Sequence, residues 1–174
     1  EVCFDVELNP NSNDPSLSSF TQYVNVLNCM HIYGESQITE EKMLHAAAVA
    51  AELLDNNEDG IIDDSQVEAV MQNSYVVMPI FNSEWSSGQD NFDGDFEGCL
   101  GAALYRNEID PSQTGHWGHD ATVEEILHTI NNCGQLVVYP NTFGLAPNSS
   151  LMSSAMDIAR GGQFFNIPNQ YPEE

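Results

Sequence analysis

A chain of 174 residues with 41% apolar content can bury one full core, and its composition is that of a globular protein, not a disordered or fibrous one. Twenty-seven acidic residues against three Lys plus Arg leave a formal charge of −24, which argues against nucleic acid and anionic membranes as partners. Divalent cations, basic proteins or salt-rich surroundings suit such a polyanion, and no apolar run reaches the roughly eighteen residues that a membrane insertion would need.

The expected architecture is α+β, with residues 1–174 forming a single domain. Val2, Phe4 and Val6 alternate with polar residues and predict a strand, and a Pro/Asn/Ser loop follows over residues 9–19. Residues 23–33 are rich in β-formers and read as a second strand, although Phe20, Val24 and Leu27 also fit a helical period.

Thr39 then caps a helix. Glu40 and Glu41 suit its first turn, and Met43, Leu44, Ala47, Ala50, Ala51 and Leu54 form its apolar stripe. His45 on this helix reads as a surface or core-margin residue, with membership of a metal cluster as the rival role.

The helix runs into Asp55-Asn56-Asn57-Glu58-Asp59-Gly60-Ile61-Ile62-Asp63-Asp64-Ser65-Gln66, followed by a short helix carrying Val67, Val70 and Met71. The spacing matches an EF-hand loop. Asp55, Asn57, Asp59 and Asp63 offer oxygens at positions 1, 3, 5 and 9, Gly60 takes the sharp turn, Ile61 offers its carbonyl, and Ile62 is the apolar residue at position 8. Calcium is the expected ion for this unit, residues 39–72. Position 12, usually a bidentate Glu, is Gln66, so the expected affinity is weak, about 10⁻⁴–10⁻³ M as in extracellular modules. A single loop of this kind fastens structure more often than it switches it. A calcium-free Asx turn between two helices is the plainer alternative.

Tyr75 to Phe81 reads as a strand or buried connector, and residues 83–98 as an acidic, Gly-rich loop in which Asp90 to Asp95 lacks EF-hand spacing. Residues 100–108 predict a strand leading to the helix Thr122-Val123-Glu124-Glu125-Ile126-Leu127-His128-Thr129-Ile130. Val123, Ile126, Leu127 and Ile130 make its expected stripe, Thr122 and Glu125 a capping box, and Asn131, Asn132 and Gly134 its stop. Glu124 and His128, at i and i+4, lie one above the other beside that stripe. Taken singly, Glu125 is a helix-start acceptor and His128 a core-margin histidine.

Together these residues resemble the zincin metallopeptidase helix, His-Glu-x-x-His, in which two ligands flank a Glu general base. Glu125 matches the base and His128 the second ligand, whereas Glu124 stands where the first histidine belongs. Carboxylate for imidazole shifts the site toward harder cations and blunts Lewis acidity. The resemblance implies zinc or another divalent metal, and a third ligand from elsewhere. Asp157 is the first candidate, on a helix capped by Asn148 or Ser149, striped by Leu151, Met152, Ala155, Met156 and Ala159, and closed near Arg160 and Gly161. An i,i+3 ion pair with Arg160 is its rival role. His116 and His119, in a Gly-loosened loop, are the alternative donors. Gln135 to Pro140 reads as a further short strand or extended segment.

Cys3, Cys29, Cys99 and Cys133 are widely spaced and suit two disulfides in an extracellular protein, with three pairings open. The chain opens on Glu1, as a processed mature chain would, and Asn148-Ser149-Ser150 is a glycosylation sequon that also reads as an N-cap.

The segments His45-Ala46-Ala47, Leu54 to Gly60, Glu124 to His128 and Ala155 to Gly162 are together similar to a group of secreted EF-hand-containing proteins with a degenerate zincin-like helix. That resemblance spans most of residues 42–172. It implies an EF-hand joined to a zincin-like core (about 100–162) on a small sheet, in chains that continue past Tyr171-Pro172. It implies no established activity.

Two functional readings follow. In the first, a secreted, noncatalytic, calcium-binding component of a matrix or filament associates with other extracellular proteins or with itself. In the alternative, a secreted metal-dependent peptidase holds its ion through Glu124, His128 and Asp157 or a loop histidine, with Glu125 as the base. On either reading Glu125→Gln should leave folding intact, and on the second it should abolish peptide hydrolysis.

Overall fold

The computed structural model describes residues 4–112, 120–144, 146 and 149–161. Apolar alternation builds its sheet. In Gln22–Val26 (β2), Val24 and Val26 join the core on one face while Tyr23 joins that on the other. In Met30–Gly34 (β3), Met30 and Ile32 divide from Tyr33 in the same way. Between them Leu27 and Asn28 take left-handed φ values of 51° and 54°, so the expected single strand over residues 23–33 is an antiparallel hairpin. Glu7–Leu8 (β1) pairs antiparallel with β2. The first strand is therefore short and later than Val2 to Val6. Phe4 and Val6 pack on the core without strand pairing, and Val2 lies outside the described residues.

Glu40–Leu54 (α1), the acidic loop and Ser65–Ser74 (α2) carry the chain to Val76–Phe81 (β4), which is buried throughout and parallel to β3. Cys99–Leu100 (β5) and Leu104–Tyr105 (β6) pair parallel on the other edge of β4, and the chain then turns through a short 3₁₀ segment, Arg106–Glu108. The result is a mixed six-stranded sheet with helices, the expected α+β class.

One face of the sheet is aliphatic. Met43, Ala46, Ala47, Ala50 and Leu54 of α1 pack there with Val67 and Met71 of α2. The opposite face is aromatic, with Phe20, Tyr23, Tyr33, Phe81 and Phe92. Phe92 belongs to Ser87–Asp95 (α3), which replaces the loop expected over residues 83–98. The Ser86 hydroxyl accepts Gly88 N–H to cap this helix, and the Phe92 ring lies 5.7 Å from Phe20 and 6.0 Å from Phe81. One buried ring thus anchors a polar helix that periodicity does not reveal.

Thr122–Ile130 (α4) does not stop at Asn131. It passes through a π-helical turn, Asn131–Gln135, into Leu136–Val138 (α5), followed by Pro140–Phe143 (α6) and Leu151–Gly161 (α7). The extended segment expected from Gln135 onward is therefore helical as far as Val138. Tertiary packing overrides the β-propensity of Leu-Val-Val: Cys133 is bonded to Cys99 of β5, and Gly134 lets α2 close in. A Cβ at Gly134 would lie 2.8 Å from Val67 Cγ1 and 3.0 Å from Met71 Sδ.

The buried side of α4 is Thr122, Ile126, Thr129 and Ile130. Val123 and Leu127, expected in the stripe, are 42% and 44% exposed. Docking to the β5–β6 connection sets this rotation, because Gly101 lies against the helix backbone and Ala102 N–H donates to Thr129 Oγ1. The expected Thr122–Glu125 capping box is absent. Ala121 holds the N-cap position, and Asp120 instead accepts from both the N–H and the hydroxyl of Thr122. On α7 the expected stripe holds only at Met152 and Ala159, while Leu151, Ala155 and Met156 are exposed. Among the described residues no helix is long and apolar enough to cross a membrane.

Of the two expected disulfides, Cys99–Cys133 is formed. Cys29 is a buried free thiol, pushed up to about 12 by burial and then by Glu68, and Cys3 lies outside the described residues.

Candidate functional site

The acidic loop begins where α1 ends. Asp55 is only 3% exposed, and its carboxylate accepts Gly60 N–H at 2.7 Å and Asp59 N–H at 3.3 Å. Gly60 takes φ 84°, a left-handed turn that glycine allows without strain, and Glu58 takes φ 60°. Asn57 Oδ1 accepts Asp59 N–H at 3.0 Å, and Asp59 Oδ1 accepts Ile61 N–H at 2.9 Å. Asp63 Oδ2 accepts from the backbone N–H and side-chain amide of Asn56, which hold its carboxyl below the usual range. Ile62 is buried in the aliphatic core, and Asp63 N–H donates to Leu54 O at 3.0 Å, closing the loop onto α1. The backbone thus turns at Gly60 over a buried Asp55.

At the far end of the loop, Asp64 caps α2: its Oδ1 accepts Gln66 N–H at 2.9 Å and Val67 N–H at 3.2 Å. Its Oδ2 accepts the Tyr139 hydroxyl at 2.8 Å. That hydroxyl chiefly holds the Asp64 carboxyl below its ordinary range, and Asp64 in turn pushes the phenol up. Gln66 Nε2 donates to the same Tyr139 oxygen at 3.1 Å. Nothing in the sequence points to Tyr139, which lies within the segment read as extended and is 73 residues from Gln66.

On α4, Glu124 Oε1 stands 3.9 Å from His128 Nε2, the expected i,i+4 pairing, with the two side chains 71% and 61% exposed. Glu125 is half-buried, and burial pushes its carboxyl up, opposed by His128 and reinforced by Glu124 and Glu108. Glu108, which sequence reasoning missed, is likewise raised, mainly by burial, and its Oε2 accepts Tyr105 N–H. Asp157 is exposed on α7. His116 and His119 lie outside the described residues, as do Asn148 of the sequon and the segment beyond Gly161. Among the described residues no three His, Cys, Asp or Glu side chains are gathered closely enough to hold a metal ion. Asp157 therefore does not complete a triad with Glu124 and His128, and Asp55, Asp59 and Asp63 each turn to loop N–H groups.

His45 has a defined partner. Its Nε2 is 2.8 Å from Asp120 Oδ2, a contact that ties α1 to the start of α4. Burial pushes the Asp120 carboxyl up, but the Thr122 hydroxyl and His45 outweigh it and hold the group below its usual range. A depressed folded-state pKa means that the unfolded chain binds the proton more tightly. The resulting stability is complete above the ordinary aspartate pKa of about 4 and is lost as pH falls through the lower folded value. Asp120→Asn should therefore lower the melting temperature at pH 6 and flatten its decline between pH 5 and 3. An unchanged acid limb would show that Asp120 titrates as it does in the unfolded chain.

No family model, no curated protein and no solved structure matches this chain.

Proposed function

We propose that this chain is an extracellular calcium-binding protein whose Asp55–Gln66 loop fastens α1 to α2, and that it serves as a noncatalytic component of a matrix or filament. The observation that carries the reading is the loop backbone, with its positive-φ turn at Gly60 above the buried Asp55 carboxylate. Asp55, Asn57, Asp59, Asp63 and Gln66 would supply side-chain oxygens and Ile61 its carbonyl. A bound divalent cation would also relieve the self-repulsion of a chain carrying −24. Association with other matrix proteins, or with further copies of itself, suits a polyanion that calcium can bridge.

Calcium at a concentration about a hundredfold above its dissociation constant should stabilise the fold by about 2.7 kcal/mol. For a chain of this size that is a rise in melting temperature of roughly 5–10 °C. Scanning calorimetry in about 10 mM calcium and then in excess chelator measures it: the full effect belongs to a dissociation constant of about 10⁻⁴ M, and about half of it, roughly 1.4 kcal/mol, to one of about 10⁻³ M. Identical transitions would sink the proposal.

The alternative, a secreted divalent-metal peptidase, rests on the Glu124–His128 approach and on Glu125 beside it. It is the second reading because Glu124 and His128 are both exposed, whereas the Asp55 carboxylate is buried beneath the Gly60 turn. Elemental analysis of the dialysed protein separates the two readings. One equivalent of zinc, lost in a Glu124→Ala/His128→Ala variant, would favour the peptidase.

A further inference from the structure

The Tyr139 hydroxyl has one proton, and where that proton goes decides how Gln66 is oriented. Asp64, ionised, can only accept, so across the 2.8 Å contact Tyr139 must be the donor. Toward Gln66 the hydroxyl is then left with lone pairs alone. The amide must therefore present its NH₂ group, as it does across 3.1 Å. The remaining amide atom, Oε1, is kept free of Tyr139. Asp64 closes the ring by accepting Gln66 N–H with its other oxygen.

From this closed arrangement we infer that Tyr139 is a positioning residue of the calcium loop: it holds the Gln66 amide so that Oε1 serves as the position-12 ligand. The inference rests on the calcium reading of Asp55–Gln66 and deepens it. A neutral amide gives one oxygen where the usual Glu gives two, so its orientation matters more. A free amide can turn its NH₂ toward the cation, and the hydroxyl prevents this.

Tyr139 is itself rigidly carried. It ends the helix that begins at Thr122, its N–H donates to Gln135 O, and Pro140 starts the next helix. The π turn at Asn131–Gln135 places one extra residue in the helix and so resets the direction in which everything after it points. Cys133, within that turn, is bonded to Cys99. The hydroxyl that orients the position-12 side chain is thus carried by a disulfide-anchored helix from a distant part of the chain.

The test is a double-mutant cycle on the full chain, read by calorimetric titration with calcium chloride. Tyr139→Phe removes only the hydroxyl and should weaken calcium binding about tenfold, as loss of an outer partner of a ligand does. In a Gln66→Glu background, where both carboxylate oxygens are ligands whichever way the group turns, the same substitution should cost at most about twofold. A role in packing alone would cost the same in both backgrounds. Gln66→Met, at an exposed position, should weaken binding at least as much as Tyr139→Phe and keeps the question open to test if Tyr139→Phe folds poorly. Unchanged affinity in Tyr139→Phe or Gln66→Met, or equal losses in the two backgrounds, overturns the inference while leaving the loop's calcium binding intact. Failure of the unsubstituted chain to bind calcium overturns both, and is seen before any variant is made.

Discussion

Gly101→Ala should cost about 3 kcal/mol, at the upper end of what overpacking costs, and lower the melting temperature by roughly 6–12 °C. The added Cβ would lie 2.2 Å from Thr129 Cα, 2.7 Å from Thr129 N and 2.8 Å from His128 O. All three are backbone atoms of a helix, with no flexible side chain to yield, so the β5–β6 connection must move away from α4. That movement would break the bond from Ala102 N–H to Thr129 Oγ1 and pull on the Asn132 amide, which donates to Leu100 O. Chemical denaturation followed by circular dichroism measures the loss. A variant melting within about 1 °C of the parent would mean that sheet edge and helix are not in backbone contact.

The second large effect belongs to the covalent link across the same interface. Cys99 and Cys133 are 34 residues apart, and closing a loop of that length should stabilise the fold by about 4 kcal/mol on the chain-entropy account. Replacing both by alanine should lower the melting temperature by roughly 8–16 °C. Because Gly101 and the disulfide hold the same two elements together, the combined variant should lose less than the sum of the separate losses. Strict additivity would mean that the two act on independent interfaces. A disulfide variant melting with the parent would remove the link as a determinant of stability, and with it the anchor assigned to the helix that carries Tyr139.

Much of the fold was written locally. The amphipathic period of α1 and the acidic residues of its first turn predict a helix of nearly the observed length, although the Thr39 side chain makes no capping bond, and α2 follows Asp64 as a capped helix should. Gly60, the one described glycine with positive φ, stands where loop spacing requires the turn. Such features depend on residues within a few positions of each other, which is the range over which propensity, capping and turn chemistry act.

Other features were decided at a distance. Periodicity places Val123 and Leu127 inward, but docking against Gly101 turns α4 so that Thr122 and Thr129 are buried instead. Leu-Val-Val at 136–138 favours a strand by composition and becomes helix because Cys99 and α2 hold the preceding turn. Phe92 makes a helix of an acidic segment by reaching Phe20 and Phe81.

The same division runs through the candidate sites. By itself the sequence determined the residue types and spacing of the Asp55–Gln66 loop and the i,i+4 pairing of Glu124 with His128, since both follow from chain geometry within a dozen residues. Only the tertiary structure decided that Asp157 stands apart from that pair, that His45 joins Asp120, and that Tyr139 meets Gln66. Those contacts depend on how whole helices dock, and docking is settled by summed burial and close packing over elements far apart in the chain.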